Sequence, residues 1–257
     1  MSTTTNTDAH TGTTLTTRAA LVTGGSRGMG AAIALRLAQD GADVAVTYVE
    51  GEQAARDVVR KIEALGRRGL AVRMDSADAE SVTGAVATVA DHFGRLDILV
   101  NNAGIGVLGP IEGLTLADVD RVLAVNVRAV FLASQAAAGV LEDGGRIVST
   151  GSALTRYAGG PGGSLYAMSK SALTGLTKAL AREVGDRGIT VNLIHPGAVD
   201  TDMNPADGPY AEPQRANTAL GRFGRPEEAA SLVAYLASDE GAFVTGAELV
   251  MDGGHAA

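Results

Sequence analysis

From residue 18 onward, short apolar runs alternate with longer stretches in which apolar residues recur every three or four positions. A short continuous run suits a strand covered on both faces, and the longer period suits an amphipathic helix lying against it. Strands are expected at 19–23, 43–48, 70–74, 96–100, 146–150, 189–194 and 248–251, with helices at 28–40, 51–65, 78–93, 116–139, 165–184 and 226–238. Strand and helix in strict alternation build β-α-β units and a parallel sheet. Thr115 and Asp118 are spaced as a capping box that opens the fourth helix. Residues 1–17 are dominated by Thr, and their isolated apolar members cannot offset the entropy of ordering, so a disordered tail is expected before a single domain over 18–257. The one long irregular stretch, 199–223, is rich in Pro, Asp, Asn and Gly and reads as a lid or a disordered segment.

Composition narrows the picture. With 257 residues and 46% hydrophobic content, one α/β domain can bury its own core. A formal charge of -8 argues against a nucleic-acid surface, which needs clustered Lys and Arg. The absence of Cys removes disulfides, thiolate metal sites and cysteine nucleophiles, and four scattered His residues point to no metal site. No uninterrupted apolar run approaches the roughly 18 residues that span a bilayer. The expectation is a cytoplasmic protein with neither nucleic-acid nor membrane partners.

Chemistry enters at Thr23-Gly24-Gly25-Ser26-Arg27-Gly28-Met29-Gly30, directly after the first strand and opening the first helix. Glycines let a backbone turn tightly against a pyrophosphate, whose charge is met by free N–H groups and the positive helix end. The spacing of Gly24, Gly28 and Gly30 departs from G-x-G-x-x-G, and a turn needed only for packing is the alternative. Tyr166 and Lys170 are four apart in a helical stretch, so both project from one face. A phenol with a pKa of about 10 is a poor base at neutral pH, and an adjacent ammonium favours its phenolate form. Taken alone, such a pair is an ordinary surface pair.

Together with Asn101-Asn102-Ala103-Gly104, Asn126, Ser152, Tyr166-Ala167-Met168-Ser169-Lys170 and Pro196-Gly197, the glycine turn makes the chain resemble the short-chain dehydrogenase/reductase family. The likeness runs from about residue 18 to the C-terminus, keeps the family's motif order, and lies nearest the bacterial 3-oxoacyl-carrier-protein reductase branch. It implies a Rossmann-like, doubly wound sheet of seven strands in the order 3-2-1-4-5-6-7, with helices on both faces. It implies that Tyr166 protonates a carbonyl oxygen or deprotonates an alcohol, that Lys170 assists it and bonds the nicotinamide ribose, that Ser152 bonds the substrate oxygen, and that Asn126 holds a relay water. Asn102, Ala103 and Gly104 would line the adenosine site, and Pro196, Gly197, Val199 and Thr201 the nicotinamide site. Ser152 and Tyr166 are separated here by a glycine-rich run that borders substrate, and Tyr157 within it reads as pocket wall or packing. His195 reads as a strand-end residue without proton chemistry.

Charge decides the expected cofactor. Enzymes of this fold that use NAD place a carboxylate at the end of the second strand, where it would repel a 2′-phosphate. Tyr48 stands at that position, and Arg27 is a cation able to meet the phosphate, so NADP(H) is expected. A solvated Arg27 is the alternative, and Glu50 is the residue that would reverse the preference. Asp75 would accept from the adenine amino group, with the Ser76 N–H beside it; a helix N-cap is its other reading, and the two roles are compatible. The expected activity is hydride transfer between nicotinamide and a ketone, 3-oxoacyl group or secondary alcohol. Its competitors are a non-catalytic dinucleotide-binding regulator and a lyase, epimerase or dehalogenase on the same scaffold. Arg128 and Arg156 are the scattered candidates for a carrier-protein patch. Apolar residues on helices 116–139 and 165–184 exceed a single sheet-facing stripe, and by resemblance they imply a homotetramer, with a dimer as the lesser alternative.

Overall fold

The computed structural model describes residues 15–257. Its strands are β1 (Ala19–Val22), β2 (Asp43–Tyr48), β3 (Gly69–Arg73), β4 (Leu96–Asn101), β5 (Leu141–Thr150), β6 (Thr190–Pro196) and β7 (Glu248–Met251). They form one parallel seven-stranded sheet in the order β3-β2-β1-β4-β5-β6-β7. The helices are α1 (Gly28–Gln39), α2 (Glu52–Ala64), α3 (Ala79–Phe93), α4 (Leu116–Leu123), α5 (Ala129–Val140), α6 (Ser164–Glu183), α7 (Ala211–Ala216) and α8 (Pro226–Ala237).

Alternation along β1 shows how one strand serves two layers. Ala20 and Val22 pack with α1, α2 and α8, whereas Ala19 and Leu21 pack with α3, α5 and α6. Both faces are therefore covered, as the near-continuous apolar strands require. The order reverses where β1 lies between β2 and β4, which leaves a crevice at the carboxyl ends of the strands. Most candidate site residues follow a strand end there: the glycine turn after β1, Asp75 after β3, Asn102 after β4, Ser152 after β5 and Gly197 after β6.

Several expectations change. Of the anticipated tail, residues 1–14 lie outside the described residues, but Leu15 is fully buried in the α1 layer and its N–H donates to Asp40 O at 2.8 Å. A lone apolar residue carries no periodic signal, so only its tertiary packing reveals it. The stretch 116–139 is two helices joined by a π turn, Ala124–Arg128, in which the Ala129 N–H reaches back five residues to Ala124 O. Taken through that turn, Leu116–Val140 is long and apolar enough to cross a membrane, with 44% of its apolar window buried within the fold. Counting only uninterrupted apolar residues overlooked it. The irregular stretch 199–223 contains α7 and an internal amide pair, Asn204 with Gln214 at 2.8 and 2.9 Å. The Thr115–Asp118 capping box is present as read.

Candidate active site

Thr23 stitches the ends of β1 and β4 together. Its hydroxyl accepts the Asn102 and Ala103 N–H groups at 3.0 Å each, while Asn102 Nδ2 donates to Thr23 O and Gly24 O at 3.0 and 3.2 Å. Asn102 thus fixes the glycine turn as well as its own strand. At Gly30 a Cβ would stand 2.3 Å from Gly24 O and 2.5 Å from Asn102 Nδ2, so only glycine lets α1 begin this close to β4. The first turn of α1 has no side-chain cap and no acidic residue. Free N–H groups and a positive helix end are left for an anion, and that donor set fits a pyrophosphate.

Around the turn, Ser26 is half-buried and Met29 packs against the core. Arg27 is exposed, with its guanidinium 3.8 Å from Asp202. Gly28 faces Thr201, whose hydroxyl donates to Val199 O at 3.5 Å. Val199 is buried and bridges Gly224, and the Gly197 N–H donates to Met251 O at 2.9 Å, so the residues after Pro196 are anchored to their neighbours. Asp75 is exposed, and one of its carboxylate oxygens accepts the Ala77 N–H at 2.8 Å. The cap of α3 is Asp78, which accepts from Glu80 and Ser81, so Asp75 is free of that duty; Ser76 beside it is buried.

Tyr166 and Lys170 share the face of α6 that meets the end of β5. Lys170 is buried and its Nζ donates to Thr150 O at 2.7 Å. Burial pushes that ammonium down to about 8. Burial likewise pushes the Tyr166 phenol above its ordinary value, while a hydrogen bond with Ser152 pulls it back. Lys170, expected to lower the phenol, is not among the causes of its shift. Its Nζ is turned to Thr150 and lies 5.9 Å from the Tyr166 ring centroid, so desolvation dominates.

Asn126 sits in the π turn, fully buried. Its amide accepts the Ile105 N–H and donates to Ile105 O at 2.9 Å each, and donates to Ser169 Oγ at 3.0 Å. A Cβ on Gly104 would stand 3.2 Å from Lys170 Nζ and 3.3 Å from Asn126 Oδ1, so the three residues converge. Ser152 is buried, and its Oγ accepts the Leu154 N–H at 3.2 Å. Tyr157, by contrast, stands half in solvent and meets His255 edge to face, at 5.4 Å between centroids.

Two residues beside this site carry more than the sequence assigned to them. His195 is fully buried beneath Ser152, and Glu248 of β7 meets its far nitrogen at 3.1 Å. The position of His195 directly before Pro196-Gly197 was the available signal. Glu248 gave none, because its partners come from three separate elements.

A parallel sheet with its strand-order reversal at β1, an uncapped glycine turn and a Tyr–Lys–Ser group at the next strand end define a dinucleotide-binding α/β protein. The chain belongs to the short-chain dehydrogenase/reductase family: the family model described as Enoyl-(Acyl carrier protein) reductase matches residues 24–256. It is similar to a short-chain dehydrogenase from Burkholderia cenocepacia J2315 solved in complex with NADP, at 56% identity and a TM-score of 0.94, covering 95% of this chain and 100% of that one. It is 44% identical over 238 residues to the cyclic-di-GMP-binding biofilm dispersal mediator protein of Escherichia coli (strain K12), which spans 93% of this chain and 97% of the relative. A 3-oxoacyl-[acyl-carrier-protein] reductase of Synechocystis sp. is 39% identical over 245 residues, 94% of this chain and 98% of its own.

Proposed function

We propose that this chain is a cytoplasmic, NADP(H)-dependent oxidoreductase that moves hydride between the nicotinamide and a ketone, 3-oxoacyl or secondary alcohol carbon. The observation that carries the reading is the convergence of Tyr166, Lys170 and Ser152 at the carboxyl ends of β5 and α6's first turns, beside a helix end with no anion of its own. The B. cenocepacia relative's NADP complex supports the cofactor.

When bound, the cofactor supplies or accepts the hydride at the substrate carbon. The uncapped α1 turn from Gly24 to Gly30 would hold its pyrophosphate, Arg27 its 2′-phosphate, Asp75, Ser76, Asn102, Ala103 and Gly104 its adenosine side, and Pro196, Gly197, Val199 and Thr201 its carboxamide. Ser152 has its oxygen engaged by the Leu154 N–H, and its hydroxyl hydrogen, which bonds the Tyr166 oxygen here, would turn to the substrate oxygen. Tyr166, kept protonated by its surroundings, gives its proton to that oxygen during reduction and removes it during oxidation. In reduction the Tyr166 phenolate would take a proton back from the Lys170 ammonium, which would regain one from solvent through the relay water behind it; in oxidation the protons would run the other way. Since the Asn126 amide is occupied by Ile105 and Ser169, a relay water held by this residue would have to use its main chain.

Tyr166→Phe tests the assignment. Loss of one acid–base group costs roughly 10²- to 10⁴-fold in turnover, with NADPH affinity retained. Near wild-type rates on an accepted ketone would remove Tyr166 from the role. The second reading, a non-catalytic dinucleotide-binding regulator, draws on the name of the E. coli relative. It requires NADPH to bind without being consumed against a panel of ketones and 3-oxoacyl thioesters, and the retained Tyr166, Lys170 and Ser152 speak for the enzyme. The carrier-protein version of the substrate is weakened further, because Arg156 is paired with Glu248 and Arg128 donates to Ala77 O.

A further inference from the structure

Ser152 is useful to the proposed chemistry only if its hydroxyl stands beside Tyr166, yet the two residues lie on different elements joined by a glycine-rich loop. His195 and Glu248 occupy the space between those elements. The β5–β6 ladder runs to Thr150↔Ile194 and is extended by the Gly151 N–H donating to Ile194 O at 2.7 Å, so His195 comes level with Gly151 and Ser152. A Cβ on Gly151 would stand 2.7 Å from His195 Nδ1 and 2.9 Å from its Cε1. The imidazole therefore lies directly against the peptide that leads into Ser152, and glycine is the residue that permits it.

Hydrogen-bond chemistry orients the ring. Glu248 is held at about 2: burial opposes its ionisation, but bonds from Lys178, Thr174 and His195 and the Arg156 charge outweigh that cost. A carboxylate only accepts, so His195 Nε2 carries a proton and donates to Oε2 at 3.1 Å. In the neutral ring Nδ1 is then an acceptor. Nδ1 lies 3.0 Å from Ser152 O, 3.1 Å from Thr155 Oγ1 and 3.3 Å from the Ser152 N; as an acceptor it takes the Ser152 N–H, while Thr155 donates its hydroxyl to Ser152 O at 2.8 Å. Thr155 and His195 thus grip the two sides of the same residue.

Glu248 extends that grip to α6. On β7 it pairs with Leu193, which makes His195 its diagonal neighbour on the face covered by α6. From α6, Thr174 donates to Oε2 at 3.0 Å and Lys178 meets Oε1 at 2.8 Å; Arg156, at the end of the Ser152 turn, reaches Oε2 at 2.8 Å. Thr174 is one helical turn beyond Lys170 and two beyond Tyr166.

We infer that His195, oriented by Glu248, is a positioning residue that fixes the Ser152 peptide against α6 and so sets the spacing of the Ser152 and Tyr166 hydroxyls. The inference rests on the oxidoreductase reading for its functional effect, while its geometry can be tested apart from turnover. Two variants separate positioning from mere space filling. His195→Asn places an amide where Nδ1 stands and gives up the Glu248 contact, whereas His195→Gln reaches Glu248 and leaves nothing at Nδ1.

The experiment measures NADPH oxidation with ethyl acetoacetate and 1-tetralone as probe ketones, NADPH binding by fluorescence, and crystal structures of both free variants. A positional loss of about 1 Å costs on the order of 10²-fold, so kcat should fall by that order in His195→Gln and recover in His195→Asn, with NADPH affinity unchanged in both. The crystal structures should show Ser152 displaced from Tyr166 in His195→Gln and in place in His195→Asn. Equal kcat values for the two variants, or Ser152 unmoved in His195→Gln, would overturn the inference. If wild-type protein consumes no NADPH with any ketone, the oxidoreductase reading fails, and the position of Ser152 in the two crystal structures still decides the positioning role.

Discussion

Cofactor preference turns on a competition that the free structure displays. Arg27 is exposed and lies 3.8 Å from an equally exposed Asp202, and pairs of that kind contribute at most about 1 kcal/mol. A charge-assisted hydrogen bond to a 2′-phosphate contributes about 1.5–3 kcal/mol, so the phosphate should win the guanidinium from Asp202. No carboxylate at Tyr48 opposes it. NADPH is therefore expected to exceed NADH by roughly 10- to 100-fold in kcat/KM. Arg27→Ala should bring the two cofactors together, mainly by raising KM for NADPH. Asp202→Asn should widen the preference, by no more than about 5-fold because the pair it removes is weak. Tyr48→Asp should shift the ratio toward NADH by repelling the phosphate. Initial rates with both cofactors on the wild type and the three variants, at one ketone concentration series, give every ratio. Equal use of the cofactors by the wild type, or an Arg27→Ala ratio that stays put, would refute the reasoning and pass the ribose to Glu50 or another residue.

Lys170 donates as an ammonium, and burial holds it at about 8, so kcat/KM for NADPH, which reports free-enzyme groups, should decline above pH 8; a level profile to pH 10 would contradict this. Glu248 has its folded value lowered from 4.5 to about 2, which corresponds to about 3 kcal/mol of stability present above pH 4.5 and lost as pH falls toward 2. Urea unfolding should accordingly show Glu248→Gln clearly less stable than wild type at pH 7 and the gap reduced to about a quarter at pH 2.5; a constant gap would remove Glu248 as the cause. Phe131, Val140 and Met168 are large apolar residues exposed on α5 and α6, and light scattering at micromolar concentration should return four times the 26.0 kDa chain, whereas a monomer would refute the proposed homotetramer.

The sheet was legible because its central strands are buried on both faces and read as short apolar runs; β2 and the partly exposed β7 also fall on their expected residues. Strand order came from the family likeness, since apolar runs do not say which neighbour they pair with. Elements that depend on single tertiary contacts were not legible. Leu15 is one apolar residue among threonines, and α7 is six residues inside a Pro- and Asp-rich stretch. Within the candidate site, Tyr166 and Lys170 were singled out by their spacing and Ser152 by the family likeness, and all three lie at the ends of β5 and α6. The partners of Lys170 escaped notice, because a main-chain carbonyl such as Thr150 O has no residue type to betray it. His195 lies near the end of β6 as read, but its contact with Glu248 was not legible, because β7 arrives more than fifty residues later.

The π turn between α4 and α5 has a consequence for tolerance to length changes. One extra residue in the coil advances the phase of everything after it by about 100°. With the i-to-i+5 bond from Ala129 to Ala124, Asn126 turns inward to Ile105 while Val130, Ala133 and Ala137 still face the core. Deleting one residue between 124 and 128 would restore an ordinary helix, and either the inward amide or the core stripe would then point the wrong way. Point substitutions there remove one side chain. A shift of frame misdirects a whole helix, so this turn should accept altered residues far more readily than an altered count.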